Sequence, residues 1–528
     1  MLPRSLLRYT QRANTRLAQT SSTFFRALII NTDHRFFSTN ELTKSIFQYG
    51  PKLPVLQKLY DQIQSIHPGK FFNERTVFVC GEHFLNTTIS LCELLIALGA
   101  DRRNIFMVGK NYSYNKDVSD RLLELGINIT VPSVQTAWGT MTDTYKNDVH
   151  DMLGKAYQRI LELKGQSKEP VNVIVSDDGG YVISGIDKKF MNACSQVIGV
   201  EQTNSGLPSS GRVNFPILLM AAAYNKTVPE PTMVANIVTK KISRLLAEIN
   251  VTFKEFSDAM KDNEPQCGLI GLGHIGSAIL LQLIKNGYKK FIIHDQDKTK
   301  IHAALKLTRH YKNIRIEEVE NSNVVLANSH IVFGNTGTDV TAGALGVFRT
   351  RSLPQILIAT SSGDVEFRTL LLYIQENERA QEIDPLCDKK FKNGFGAPLL
   401  LPRGGTPINF DNSEISVPED FIQLTRALKG LGIIQAAELL TEWKHKGKPI
   451  PIKSYQLTPS GQAFAGRAFV KSIGKQKFYD LGLPMKIEDL SNISKISEHS
   501  QGHVCDLERD LFAETKPEPT LSPKRARK

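Results

Sequence analysis

Segment 198–207, IGVEQTNSGL, ends an apolar run in a carboxylate, an amide and several hydroxyl and amide side chains. Glu201 offers acid–base chemistry, while its near-isostere Gln202 offers only neutral hydrogen bonds, so whichever faces a ligand decides what can be done to it. A second polar turn, DDGG at 177–180, closes another apolar run. The third motif is Gly271-x-Gly273-x-x-Gly276, which follows an apolar strand and opens a stretch with Ile275, Ile279 and Leu283 at spacing four. Glycines so placed make a tight turn, admit a pyrophosphate to the backbone and let helix and strand pack closely. Asp295 lies 24 positions after Gly271, where an acid binds a ribose 2′-hydroxyl and repels a 2′-phosphate. The expected cofactor is therefore NAD rather than NADP.

The elements that must position these groups alternate. The patterns predict strands at 75–80, 104–109, 171–176 and 195–200, with helices at 86–100, 115–126 and about 144–165 between them. Such alternation implies an α/β fold with a largely parallel sheet, and ligands of such sheets lie at the carboxyl ends of strands, where 177–180 and 201–206 both fall. A helix over about 240–261 leads into a second unit with strands at 267–271, 290–295, 330–335 and 355–360, and a helix at 419–443 is long enough to span domains.

The chain has 528 residues and a net charge of +12. Nine of those charges come from Arg4, Arg8, Arg12, Arg16 and Arg26 and from the final KRARK, so the body of the chain is close to neutral and a nucleic-acid-binding core is not supported. No apolar run reaches the roughly 18–20 residues that span a membrane. The six scattered cysteines form no Cys-x-x-Cys pair, which argues for reduced thiols and against a zinc site. The arginine-rich, acid-free start has the composition of a mitochondrial transit peptide, the alternative being a cytoplasmic protein with a basic tail. The terminal TLSPKRARK reads as a solvated tail.

In order, SDDGGYV, GVEQTNSGL, ANIVTK, the glycine loop, IVFGNTGTDV, IATSSGDVEF and PINF resemble segments of the S-adenosylhomocysteine hydrolase family, over roughly residues 75–443. The resemblance implies a Rossmann-type NAD-binding domain inserted in a second α/β domain of substrate type. The expected division is 1–40 basic presequence, 41–240 substrate-type domain, 241–405 NAD domain, 406–455 returning helix, and 456–528 polar extension and disordered tail. It also implies homo-oligomers, or hetero-oligomers with a related hydrolase, and an adenosine-like small-molecule ligand. By the same resemblance His83, Asp178 and Lys240 are the catalytic candidates. Gln202 falls at the substrate-binding position, and Thr203, Asn204, Ser205 and Asn409 join Gly271, Gly273, Gly276 and Asp295 around the cofactor.

Departures from the family are concentrated at the chemistry. Its EETTTG is Glu201–Gln202–Thr203–Asn204–Ser205–Gly206 here, so the ribose-binding glutamate is an amide. Its Asp-Asn pair after the lysine is Arg244 and Leu245, its cysteine falls at Ile249, one histidine falls at Ser362, and no Gly-His-Pro follows Asn409. The expected function is an NAD-binding relative of the hydrolase without full hydrolase activity, with a regulatory role. The alternative is an active adenosylhomocysteinase or an NAD-dependent oxidoreductase-type enzyme acting on a related nucleoside.

Overall fold

A computed structural model describes residues 44–133, 141–203, 206, 213–252, 264–360, 365–377, 389–391, 396–411 and 413–499. Asn204, Ser205, Ser362, the arginine-rich start and the KRARK end lie outside the described residues. Short runs rich in Val, Ile and Phe form strands because branched and aromatic side chains suit a pleated surface covered on both faces. The first six are β1 (Thr76–Glu82), β2 (Ile105–Gly109), β3 (Asn128–Thr130), β4 (Asn172–Asp177), β5 (Gln196–Glu201) and β6 (Ile217–Leu219). Next come β7 (Gln266–Ile270), β8 (Lys290–His294), β9 (Arg315–Glu318), β10 (Ile331–Gly334), β11 (Gln355–Ala359), β12 (Lys389–Phe391) and β13 (Leu399–Leu401). The last, β14 (Ser454–Gln456), is short and far from its partner in sequence.

Two sheets result, both with the doubly wound α/β arrangement. The first has the order β14-β6-β5-β4-β1-β2-β3, and every pair in it is parallel. The second has the order β12-β13-β11-β10-β7-β8-β9, parallel except for the β12–β13 pair. In each sheet the winding reverses beside its first strand, between β1 and β4 and between β7 and β10. A crevice opens at such a reversal, and that is where ligands of these folds sit. His83 follows β1, Asp178 follows β4, and the glycine loop follows β7, so these residues stand at the two reversals.

Because β14 completes the first sheet, the second domain interrupts the first. The helix Glu419–His445 returns the chain and buries Leu424, Ala427, Leu428, Leu431 and Ile434. Two glycines inside it each cost about 1 kcal/mol of helix propensity relative to alanine. They are required by contact: a Cβ at Gly432 would lie 2.9 Å from Val200 Cγ1, and one at Gly430 would lie 3.0 Å from Leu94 Cδ2.

The division at 456 needs correction. Residues 454–499 are not a polar extension: β14 pairs with β6, and the helix Pro459–Ile473 buries Phe464, Ala465, Ala468 and Phe469. The interval is polar on average because the buried stripe of one helix is diluted by exposed neighbours. The helix expected over 240–261 instead begins earlier, as Pro229–Thr252, with proline at its first position.

Candidate functional site

β1 ends at Glu82 and delivers His83 to the carboxyl edge of the first sheet, where the ring is buried. Its Nδ1 lies 2.7 Å from Ser113 Oγ, and its Nε2 lies 3.5 Å from Asp178 Oδ2. Gln202 Nε2 donates to that same oxygen at 2.9 Å. A donor at Nε2 facing the carboxylate leaves Nδ1 to accept from Ser113, so the network assigns the tautomer. The ring stacks on Phe410 with centroids 4.3 Å apart, and Tyr112 packs on its flank.

Within segment 198–207, the carboxylate and the amide take different directions. Glu201 turns inward: its Oε1 accepts from Gly179 N at 3.2 Å, Thr203 N at 2.7 Å and Thr203 Oγ1 at 2.8 Å. It is a brace for the two polar turns. Burial, with Asp177 beside it, pushes its carboxyl up to about 8. Gln202 is the residue that faces Asp178, and Thr203 spends its hydroxyl proton on Glu201.

Two opposing effects act on Asp178. Burial raises its carboxyl, but His83 and the ammonium groups of Lys110 and Lys429 pull harder, and it stays well below the ordinary carboxylate range. His83 is lowered by burial, with Asp178 offsetting that in part. The pair therefore rests as neutral imidazole and carboxylate. Lys110 is a residue that sequence reasoning missed: it is buried, with its ammonium 5.0 Å from the Tyr145 ring centroid and 5.1 Å from that of Tyr181. Gly179, at φ +104°, makes room for it, since a Cβ there would lie 2.8 Å from Lys110 Nζ. Ser113 was missed too. Both sit in the polar run KNYS after β2, where hydrophobic periodicity carries no signal.

Lys240 is exposed on the helix Pro229–Thr252, and the adjacent Lys241 reaches the Asn409–Asp411 segment. Lys241 Nζ donates to the Asn409 carbonyl at 3.1 Å and pairs with Asp411 at 2.5 Å. Arg244 is also exposed and pairs with Glu248 at 3.0 Å along its own helix.

In the second domain the three glycines differ in the way a dinucleotide site requires. Gly271 has φ +91°, and a Cβ there would lie 2.9 Å from the Asn335 carbonyl. A Cβ at Gly276 would lie 2.0 Å from the Gly271 oxygen, whereas one at Gly273 would meet nothing within 4 Å. Gly273 therefore keeps a space clear in front of the helix His274–Lys285, whose N-cap contributes no side-chain hydrogen bond. The helix dipole at that end favours an anion. Asp295, just past β8, is half-buried; its Oδ2 accepts from Leu272 N at 2.6 Å and its Oδ1 from Asp297 N at 2.9 Å. Each oxygen keeps a lone pair for a further donor. Across the crevice, buried Glu366 accepts from Gly337 N at 2.7 Å and Thr336 Oγ1 at 3.1 Å, holding the loop after β10. The residues present fit a dinucleotide.

The two sites meet at Asn409–Phe410. Ile408 N donates to Ala359 O at 3.0 Å at the end of β11, and two residues later Phe410 lies against His83. Asn409 itself is buried, and among the described residues its Oδ1 has no donor; neither do Asp178 Oδ1 and Gln202 Oε1.

No protein-family model matches the chain. It is 24% identical over 381 residues to Uncharacterized protein Rv0104 of Mycobacterium tuberculosis (strain ATCC 25618 / H37Rv), covering 70% of this chain and 67% of that protein. The same figures hold for Uncharacterized protein MT0113 of strain CDC 1551 / Oshkosh. Among solved structures it is similar to phosphoglycerate oxidoreductase from Vibrio cholerae O395, with 10% identity, a TM-score of 0.32, and 70% and 99% of the two chains covered. D-lactate dehydrogenase from Escherichia coli gives 13% identity and a TM-score of 0.30, covering 71% of this chain and 98% of its own. The NADPH-dependent glyoxylate/hydroxypyruvate reductase of Sinorhizobium meliloti gives 13%, a TM-score of 0.29, and 54% and 85% coverage. The α/β, two-domain character of this chain is carried by its own strand order.

Proposed function

We propose that this protein binds NAD at the glycine loop and a hydroxylated, nucleoside-like small molecule around His83, as an oxidoreductase-type protein rather than an ordinary adenosylhomocysteine hydrolase. The observation that carries this reading is that three buried acceptors, Asp178 Oδ1, Gln202 Oε1 and Asn409 Oδ1, have no donor among the described residues. A buried acceptor left without a donor costs about 1–3 kcal/mol, and a ligand with several hydroxyls would satisfy these three. The ordered resemblance to S-adenosylhomocysteine hydrolase supports the nucleoside part of the reading.

NAD, when bound, would supply the hydride acceptor for a carbinol carbon. The chain's own residues do the rest. Asp178, strongly acidic, holds a hydroxyl and fixes the imidazole. A proton leaving the ligand reaches His83 Nδ1 by way of the Ser113 hydroxyl, and the adjacent Asp178 carboxylate stabilises the imidazolium. Phe410 and Tyr112 cover the ring and keep water from it.

A second reading, binding without turnover, is favoured by one observation: Lys240 stands exposed. Both readings are tested by denaturing the purified protein and quantifying released NAD, then adding adenosine or S-adenosylhomocysteine to fresh protein and following nicotinamide reduction. Reduction with adenosine supports the oxidoreductase reading, and tight binding without reduction supports the second. Absence of NAD, or homocysteine release at a useful rate, overturns the proposal.

A further inference from the structure

Glu82, the residue before His83, is buried to 1% exposure. The returning helix brings two buried cations to it: Arg426 Nη1 lies 3.1 Å from Oε2, and Lys429 Nζ pairs with Oε1. The rest of the guanidinium is committed to the turn that follows His83. Arg426 Nε donates to Thr87 Oγ1 at 3.0 Å and Nη2 to Thr88 Oγ1 at 3.0 Å, while Thr88 Oγ1 donates to the His83 carbonyl at 2.7 Å. One rigid fork therefore holds the chain on both sides of His83, a geometry a lysine point charge cannot reproduce. The same turn is tied to the segment leading into the helix: Asn86 N donates to Glu414 O at 3.0 Å, and Asn86 Nδ2 donates to Glu419 Oε1.

Burying two cations with one anion is a poor way to gain stability, since well-packed apolar side chains of similar volume do as well or better. What the network supplies is placement. The helix starts nine residues after Phe410, whose ring stacks on His83, so the domain connection and the guanidinium reach one imidazole from different directions.

We propose that Arg426 is a positioning residue for His83, carrying the seating of the returning helix to the imidazole of the ligand site. This rests on the reading that His83 lines that site. The groups facing the ring are Asp178 and Ser113 at its nitrogens and Phe410 and Tyr112 at its faces, with Lys110 and Arg426 as the nearby cations.

The test is an NMR titration of the full chain carrying 13C-labelled histidine, with the His83 signal assigned by its loss in His83→Gln. Arg426→Met removes a cation and should move the His83 midpoint up; Arg426→Lys restores the charge but not the fork, so it should return most of that shift while adenosine affinity stays low. Glu82→Gln removes an anion and should move the midpoint down. A merely structural role would loosen and hydrate the ring, moving it toward the free-histidine value in both variants, and that result overturns the proposal. So does an unchanged midpoint in either folded variant; should Arg426→Met fail to fold, Glu82→Gln and Arg426→Lys still decide it. Adenosine affinity, read in parallel, should fall about tenfold in Arg426→Met, as for a residue that orients a contacting group. If wild-type protein binds no adenosine, the ligand reading fails while the titration still judges Arg426.

Discussion

Glu366 and Glu201 are buried carboxyls whose hydrogen-bond partners are N–H and O–H donors rather than cations. Burial pushes each up to about 8. A raised pKa means that the folded state binds more protons than the unfolded chain, so stability is greatest below the unfolded carboxyl range. It then declines as pH rises toward about 8, by ~1.4 kcal/mol for each pH unit and each such carboxyl. Glu366→Gln should flatten that decline, read as the urea midpoint between about pH 5 and 8; an unaltered slope would mean that Glu366 is not a titrating group. Gln202→Glu, which restores the hydrolase family's residue, tests the facing amide. It replaces the donor to Asp178 by a second carboxylate, so the variant should lose about 1–3 kcal/mol at neutral pH. Two facing carboxylates raise each other's pKa, so stability should recover on acidification. Equal destabilisation at low and neutral pH would contradict the contact.

Gly273 and Gly276 separate binding from folding within one element. Gly276→Ala drives a methyl onto the Gly271 carbonyl oxygen and should cost about 1–3 kcal/mol of stability. Gly273→Ala meets open space, should cost under about 1 kcal/mol, and should nonetheless abolish NAD retention. Equal NAD content in Gly273→Ala and wild type would remove the pyrophosphate from that space. This loop was legible in the sequence because the spacing of its glycines states a steric requirement. The strands at 75–80, 171–176 and 195–200 were legible to within about two residues, because uninterrupted apolar runs leave little choice of register. Lys110, Ser113, Arg426 and Lys429 were not legible. A charged residue on a helix reads as solvent-facing unless its partner is known, and the partner of Arg426 is more than 300 positions away at Glu82. The available signal was Glu82 itself, an acid ending the apolar run VFVCG and so in need of a cation. On the helix that carries Lys240, the exposed Lys240 stands beside Lys241, whose contacts to Asn409 and Asp411 no sequence pattern announces.

At the scale of the molecule, the first domain is assembled from both ends of the described chain around an inserted second domain. Deleting residues 454–499 removes the edge strand beside β6 and uncovers the surface beneath Phe464 and Phe469. The shortened chain should lose the cooperative unfolding of the first domain, and limited proteolysis should then spare only fragments of the second. A truncated chain that melts as the full one does would show the C-terminal segment to be an ornament. The β6–β14 pairing also dictates an order of events during synthesis. Ser454 pairs with Ile217, so the first sheet cannot be completed until more than two hundred further residues have left the ribosome. The inserted domain, whose strands all lie between 266 and 401, is complete before then. A nascent chain of this protein therefore holds a finished second domain beside a sheet with an open edge. During that interval the unpaired side of β6 is exposed to other chains, which makes slow elongation through 220–454 a hazard for this protein and a chaperone that shields strand edges its natural remedy.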